Sequence, residues 1–404
     1  MRDRSTKGKS GFSLLEMTIS LGLGALVLAG AVQIYIQGVQ ASWTTTQRAE
    51  LQQDFRAASN ILTTNLSLAG AGLSPGTAIA LPSTITPVYG CDQTKTCYIN
   101  GGSVKYPING GTPYLYGLLP GYQKGPTLYA SQGPTDVITV AYTDNSFYLN
   151  CYAATVTALG VVTFAPPVTV PATPWPTPGC LPPNPPSSVT APQAVNDSVV
   201  GLTAGDLVLM TLNGTQVVGE VTGAPTATSG VANSYAVPFA NLDVLNMNQT
   251  PSGGGLNGVP LNATGAAGPL GSCPCRLLVV SYYIDNSPTP PRLMQQISGH
   301  TPIPVAENVV FLQFTYDLFN SATGSPAVSQ PNPGSGDAND TASSSPTVLL
   351  PNQITKINIA NMAMNSTLPG VSYGGGSGGS YQRLDLQTSV CARNLTYNND
   401  YPIQ

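Results

Sequence analysis

The sequence predicts an α+β fold, with one long N-terminal helix followed by a single antiparallel β-rich head that carries long Gly/Pro/Ser loops. Three observations predict it. Residues 12–69 contain no proline, the first of the chain being Pro75, and beyond residue 50 their apolar residues recur in steps of three and four, the period of a helix with one buried face. From residue 75 onward the spacing changes to two, the period of a half-buried strand. Between the alternating runs lie tracts of glycine, proline and serine, which break strands and form turns.

The chain starts on a basic stretch. Arg2, Arg4, Lys7 and Lys9 against Asp3 give residues 1–11 a charge of +3, so the formal net charge of −4 leaves −7 on the rest. A negative body is a poor partner for nucleic acid. Charged residues are only 8% of the chain, with Gly 43 and Pro 37, a composition that fits an exported, loop-rich surface protein better than a cytosolic enzyme. An apolar run then extends from Phe12 to Val39 without an A-x-A pattern to close it. As a helix it would be about 40 Å long, enough for a hydrocarbon core of about 30 Å. It reads as a retained transmembrane helix, its basic leader held in the cytoplasm. Gly22, Gly24 and Gly30 are soft points in it.

Beyond the membrane the helix continues over residues 40–70. Leu51, Phe55, Ala58, Leu62, Leu66 and Ala69 form one apolar face, Arg48, Glu50, Asp54 and Arg56 lie on the polar side, and Gly70-Ala71-Gly72 before Pro75 marks the stop. Core packing of the outer half against the chain's own head explains the stripe.

Residues 71–404 make the head. Strands are expected at Asp136 to Thr143, Phe147 to Tyr152, Asp206 to Leu212, Gln216 to Val221, Arg276 to Asp285, Val309 to Leu318, Gln353 to Met364 and Tyr381 to Cys391. The clearest alternation is Val310, Leu312, Phe314, Tyr316, Leu318 against Gln313, Thr315 and Asp317, the pattern of a half-buried antiparallel strand. Residues 166–192, with eleven prolines, and residues 250–272, 322–346 and 373–380 read as long surface loops within one head.

Within the apolar run one charge stands alone: Glu16, with no other charged residue between Phe12 and Gln47. An ionisable group at that depth costs several kcal/mol and is usually paired or functional. Its neighbours Lys9, Ser10, Gly11, Phe12, Ser13, Leu14, Leu15 and Glu16 resemble the type III signal of type IV prepilins. That resemblance implies cleavage by a prepilin peptidase between Gly11 and Phe12, N-methylation of Phe12, and pairing of Glu16 with the Phe12 ammonium of a neighbouring subunit. Residues 1–11 are then a leader that is removed.

Three further segments, AELQQDFRAASNILTTNLSLAGAGL, VAENVVFLQFTYDLF and LQTSVCARN, are similar to PilW-like minor pilins, relatives of the J-type pseudopilins of type II secretion. They cover the helix and roughly the last third of the chain, whereas residues 75–270 match nothing in that pattern. The family resemblance implies a pilin-like fold and a minor pilin that helps initiate and assemble a type IV pilus at or near its tip. Implied partners are other minor and major pilins, the prepilin peptidase, the inner-membrane assembly platform and a tip adhesin. The implied location is the inner membrane with the head in the periplasm, then the pilus or cell surface. Alternative readings are a type II secretion pseudopilin and, in another class, a membrane-anchored exported binding or adhesion protein.

An enzyme is not expected, and neither a cofactor nor a metal is. The one histidine, His300, sits in an SGHTP loop context without a nucleophile elbow, so it reads as structural. The glycine runs 253–255 and 374–376 lack the lysine and strand-to-helix setting of a phosphate loop, and the composition around Asp337 and Asp340 is that of a disordered loop rather than a calcium site. Seven cysteines, Cys91, Cys97, Cys151, Cys180, Cys273, Cys275 and Cys391, all follow the apolar run, where an oxidising compartment permits disulfides. Their odd number leaves at least one free or paired between chains. Expected pairs are Cys91 with Cys97, Cys151 with Cys180, and Cys391 with one cysteine of the Cys273-Pro274-Cys275 triplet.

Overall fold

A computed structural model describes residues 11–73, 78–109, 111–130, 132–144, 149, 152–158, 160–165, 194–212, 215–230, 232–249, 274–287, 289–320, 325–330, 351–366 and 383–395. It shows one long apolar N-terminal helix and a β-rich body of antiparallel sheets. The chain divides into two compact units, Met1–Gln53 with Ser366–Gln382, and Asp54–Asn365 with Arg383–Gln404.

The helix spans Leu14–Ser67 without a break, 54 residues or about 81 Å. Its glycines do not interrupt it, because the segment holds no proline and its many alanines and leucines are good helix formers. The expected stop is present: residues 68–72 form turns, with Gly70 at φ 76°. In the outer part Phe55, Ala58, Leu62 and Leu66 are buried, the predicted stripe. Asn65 adds a polar anchor there. Its Nδ2 donates to the Tyr282 hydroxyl, and the Tyr142 hydroxyl donates to its Oδ1 at 3.2 Å.

Seven strands form the largest sheet: Leu118–Gly121, Val137–Asp144, Leu207–Leu212, Thr215–Glu220, Cys275–Asp285, Arg292–Ile297 and Ile303–Glu307. Cys275–Asp285 is its axis. It pairs with Val137–Asp144 from Arg276↔Asp144 to Tyr282↔Ile138, with Leu207–Leu212 near its start and with Arg292–Ile297 near its end. Successive side chains of a strand point to opposite faces. Leu207 and Leu209 enter one core cluster with Tyr106, Leu115 and Tyr283, while Val208 and Met210 enter another with Phe164 and Phe239. Both faces of the sheet are therefore covered, which is why Leu207–Leu212 reads as an apolar run rather than an alternation.

A second sheet of four strands has the order Ser325–Gln330, Val309–Asn320, Ile354–Asn365, Arg383–Cys391. Asp136 ties it to the first. The Asp136 N–H donates to the Leu312 carbonyl at 2.9 Å, and its carboxylate accepts the N–H groups of Gln123 and Phe314, both at 2.8 Å. Burial pushes this carboxyl up to about 6. Smaller ladders join Ala153–Ala158, Val161–Ala165, Tyr235–Pro238 and Thr226–Ala227, and, separately, the short strands between residues 79 and 115.

Seven of the eight expected strands are present within a few residues of their expected ends. The eighth is corrected. Leu149 and Tyr152 are joined by a turn, Tyr152 N–H donating to the Leu149 carbonyl at 3.0 Å, and the strand starts at Ala153. Both side chains are buried in the same core cluster, a need that a turn meets and alternation does not. A second correction concerns residues 322–346, expected as loop. They contain the strand Ser325–Gln330, at the sheet edge, where Pro326 removes no ladder hydrogen bond from the interior. The expected loops 166–192, 250–272 and 373–380 lie outside the described residues.

Cys91 and Cys97 form a disulfide, S–S 2.04 Å, as expected. The loop they close is organised around Asp92, whose Oδ1 accepts from the N–H and hydroxyl of Thr94 and whose Oδ2 accepts from the Tyr98 hydroxyl. Replacing both cysteines by alanine is expected to lower stability by about 2 kcal/mol, the chain-entropy value for so short a loop. Denaturant unfolding of the full chain in detergent measures it. A loss below about 0.5 kcal/mol would mean that the Asp92 bonds hold the loop alone.

Candidate functional site

The residues singled out in the sequence converge on the start of the helix. Gly11, Phe12 and Ser13 precede it as exposed chain outside any regular element, and Leu14 is its first residue. Ser13 caps it. Its carbonyl accepts the first bond of the helix, from the Met17 N–H at 3.1 Å, and its Oγ accepts the Glu16 N–H at 3.2 Å, so one donor that a helix end would leave orphaned is satisfied. Ser13 and Glu16 have the spacing of a capping box, a local signal that the sequence itself carries.

Capping gives Glu16 a local reason to sit in the first turn, since an acid there meets the positive end of the helix dipole. The magnitudes decide whether that reason suffices. A favourable dipole contact contributes about 0.3–1 kcal/mol at an exposed site, whereas an unpaired carboxylate in hydrocarbon costs about 2.5–3.5 kcal/mol or more. In a membrane the cap alone does not offset the charge. A cationic partner would.

The rest of this half of the helix is suited to an apolar medium. Its best 18-residue window has a mean hydropathy of 2.0 and none of it is buried, so the segment is long and apolar enough to cross a membrane. Leu14, Leu21, Leu26, Ile34 and Trp43 are exposed along it. Its hydroxyls turn inward: Thr18 donates to the Leu15 carbonyl, Ser20 to Glu16, Thr45 to Ala41 and Thr46 to Ser42. Such bonds satisfy the side-chain donors within the helix and leave Glu16 as its single charge.

The cysteine pairs divide. Cys151, Cys180 and Cys273 lie outside the described residues, so their expected pairs do too. Cys391 is corrected: its thiol is free and exposed, at the end of Arg383–Cys391, where alternation places it on the outward set. Cys275 starts the axial strand of the seven-stranded sheet, and Cys391 ends the last strand of the other. An open groove of about 590 Å³ beside Cys391 is lined by Thr63, Ser67, Thr388, Arg393 and Asn394. Since the last helical turn holds no basic residue of its own, Arg393 supplies positive charge where the helix dipole favours it.

His300 is a link, not the centre of a cluster. Its Nε2 lies 2.9 Å from Asp206 Oδ1, whose other oxygen accepts the Thr203 N–H. Among the described residues no group of three or more His, Cys, Asp or Glu side chains is placed to hold a metal ion.

A feature that the sequence reading missed lies nearby. Glu220, at the end of Thr215–Glu220, is fully buried, and so is most of Asp243. Glu220 accepts from Gln93 Nε2 and from the Leu245 N–H at 2.8 Å. Asp243 accepts the N–H groups of Met247 at 2.6 Å and Asn248 at 2.9 Å. Burial first, then Asp243, pushes the Glu220 carboxyl up to about 8. The available signal was one acid inside the apolar run Val217-Val218-Gly219-Glu220-Val221.

Comparison of the chain with family models, curated proteins and solved structures finds no match.

Proposed function

We propose that this chain is a prepilin-like minor pilin, PilW-like in kind, whose leader is removed before Phe12 and whose helix joins those of other pilins in starting and building a type IV pilus. One observation carries the reading: Glu16, the single charge of a bare apolar helix half, stands in its first turn directly after the Gly11-Phe12 step. Cleavage there creates an ammonium on Phe12. Within one chain the helix separates that group from the Glu16 carboxylate along its axis, but a second subunit shifted along the same axis brings the two together, and a buried pair costs far less than either charge alone. The bare helix surface supports such side-by-side packing. The β-rich body is then the part presented outside the membrane, near the tip, where a bulky head is accommodated best.

N-terminal mass spectrometry of the protein from its native membranes tests the reading. The expected mature chain begins at Phe12 and is methylated on its nitrogen. A chain that still begins at Met1, or one cut after the apolar segment, would overturn it.

A further inference from the structure

We infer that Glu220 and Asp243 hold one proton between them in the folded protein, and that this proton latches the 241–249 loop and the disulfide-closed loop at Cys91–Cys97 onto the seven-stranded sheet. The geometry leaves little choice. Glu220 has no exposed surface and Asp243 has 6%, yet no Lys, Arg or His lies within ion-pair distance of either among the described residues. Two adjacent carboxylates buried without a cation do not both ionise. The protonated one can donate to the other, and a single negative charge is then shared by a pair that also receives main-chain N–H groups.

The bonds to Glu220 cross between segments distant in sequence, while those to Asp243 lie within the 241–249 loop and fix its shape. Gln93, next to the disulfide, donates to Glu220; Leu245 donates to Glu220; Met247 and Asn248 donate to Asp243. Asn248 completes the junction, accepting the Glu220 N–H at 2.9 Å and donating to the Glu220 carbonyl at 2.6 Å. The other titratable groups on the surrounding elements do not supply a counter-charge. Tyr106 is buried and is itself held neutral by burial, Asp206 faces Thr203 and His300, Asp92 faces Thr94, Tyr98 and Thr301, and Lys95 and Lys105 are exposed.

Losing the proton places two negative charges together with only amide donors around them. The favourable way out is for the loops to open and let water reach the pair. Because the buried Glu220 carboxyl keeps its proton to about 8 in the folded protein and a free glutamate loses it at 4.5, opening becomes easier as pH rises between those values and no easier beyond them. The device therefore tightens the loops in acid and loosens them in mild alkali.

Hydrogen exchange of the full chain in detergent micelles tests this, read at the N–H groups of Leu245, Met247 and Asn248 and corrected for intrinsic exchange. Local opening is expected to rise up to about tenfold per pH unit between about pH 5 and pH 8 and to level off above. In Glu220→Gln, which carries its amide at every pH, the slope should vanish. A flat wild-type profile, or an unchanged slope in Glu220→Gln, would overturn the latch. Should that variant fail to fold, Asp243→Asn removes the second carboxyl but not the burial of Glu220, so its slope should end at a lower pH than in the natural protein, and an unchanged profile would overturn the latch. The infrared spectrum of the natural protein gives a decision independent of any variant: a protonated-carboxyl band is expected at pH 7 and absent at pH 10, and its absence at pH 7 would refute the shared proton.

Discussion

Glu16→Leu is expected to insert into the membrane as the natural chain does and to be cut before Phe12, yet to fail to join neighbouring subunits. Leucine removes a charge from an apolar helix, so insertion alone should become easier by about 2.5–3.5 kcal/mol. If Glu16 were no more than a capping-box residue, its loss would weaken the first turn by about 1 kcal/mol and leave assembly intact. Pairing with a partner's ammonium predicts the opposite balance. Leucine leaves that ammonium buried and alone, a cost of about 3–5 kcal/mol, or roughly two to four orders of magnitude in association. Glu16→Asp keeps the charge but shortens its reach, and should fall between. Ser13→Ala removes the cap without touching the charge and should assemble nearly as well as wild type. Co-purification with other pilins, together with counts of surface pili, separates the readings. Wild-type values for Glu16→Leu in both would leave the helix as a simple anchor.

Gly117→Ala is expected to cost about 3 kcal/mol or more, the upper end of the range for overpacking. A Cβ at this position would lie 2.7 Å from Gly70 Cα and 2.9 Å from Gly70 N. The leucine that it also meets, Leu395, can rotate away; the main chain of Gly70 cannot. Gly70 donates its N–H to the Ala141 carbonyl at 2.9 Å, and Ala141 donates its own to the Gly117 carbonyl at 3.0 Å, so the turn that ends the helix is clamped against the strand Val137–Asp144. Adding the methyl group must break one of these bonds. Gly102→Ala is the control, since its Cβ would meet nothing closer than 4.0 Å and its backbone is not left-handed. Denaturant midpoints of both variants in detergent measure the difference, and a Gly117→Ala loss below about 1 kcal/mol would show that the turn yields.

What was legible in the sequence follows from the reach of each physical signal. Helix and long strands were readable because burial imposes a period on neighbouring residues, and the stop at Gly70 was readable because only glycine takes its φ at no cost. Leu118–Gly121 was not readable. All four residues are buried, so no alternation exists, and its Pro120-Gly121 ending resembles a turn. At the helix start Gly11, Phe12 and Glu16 were visible as a linear motif, and Ser13 would have been visible by its spacing. Partners set by tertiary approach left no such mark. Nothing local to Cys391 says which sheet it ends, and nothing near Glu220 in the chain announces Asp243, which reaches it only through the fold of the 241–249 loop.

The clamp at Gly70 has a consequence for biosynthesis. Leu395 fills the space that side chains at Gly70 and Gly117 would occupy, so the exit of the first helix is sealed by one of the last described residues of the chain. The ribosome therefore delivers the lid of this joint long after its seat, and the strand Arg383–Cys391 that precedes the lid pairs, among the described residues, with Ile354–Asn365, itself a late arrival. Contacts so distant in sequence are paid for in loop closure before they return any stability, and they form slowly. A nascent molecule will thus spend most of its synthesis with its helix already placed and its body unfinished, a window in which chaperones and proteases, rather than the final free energy, decide how many copies survive.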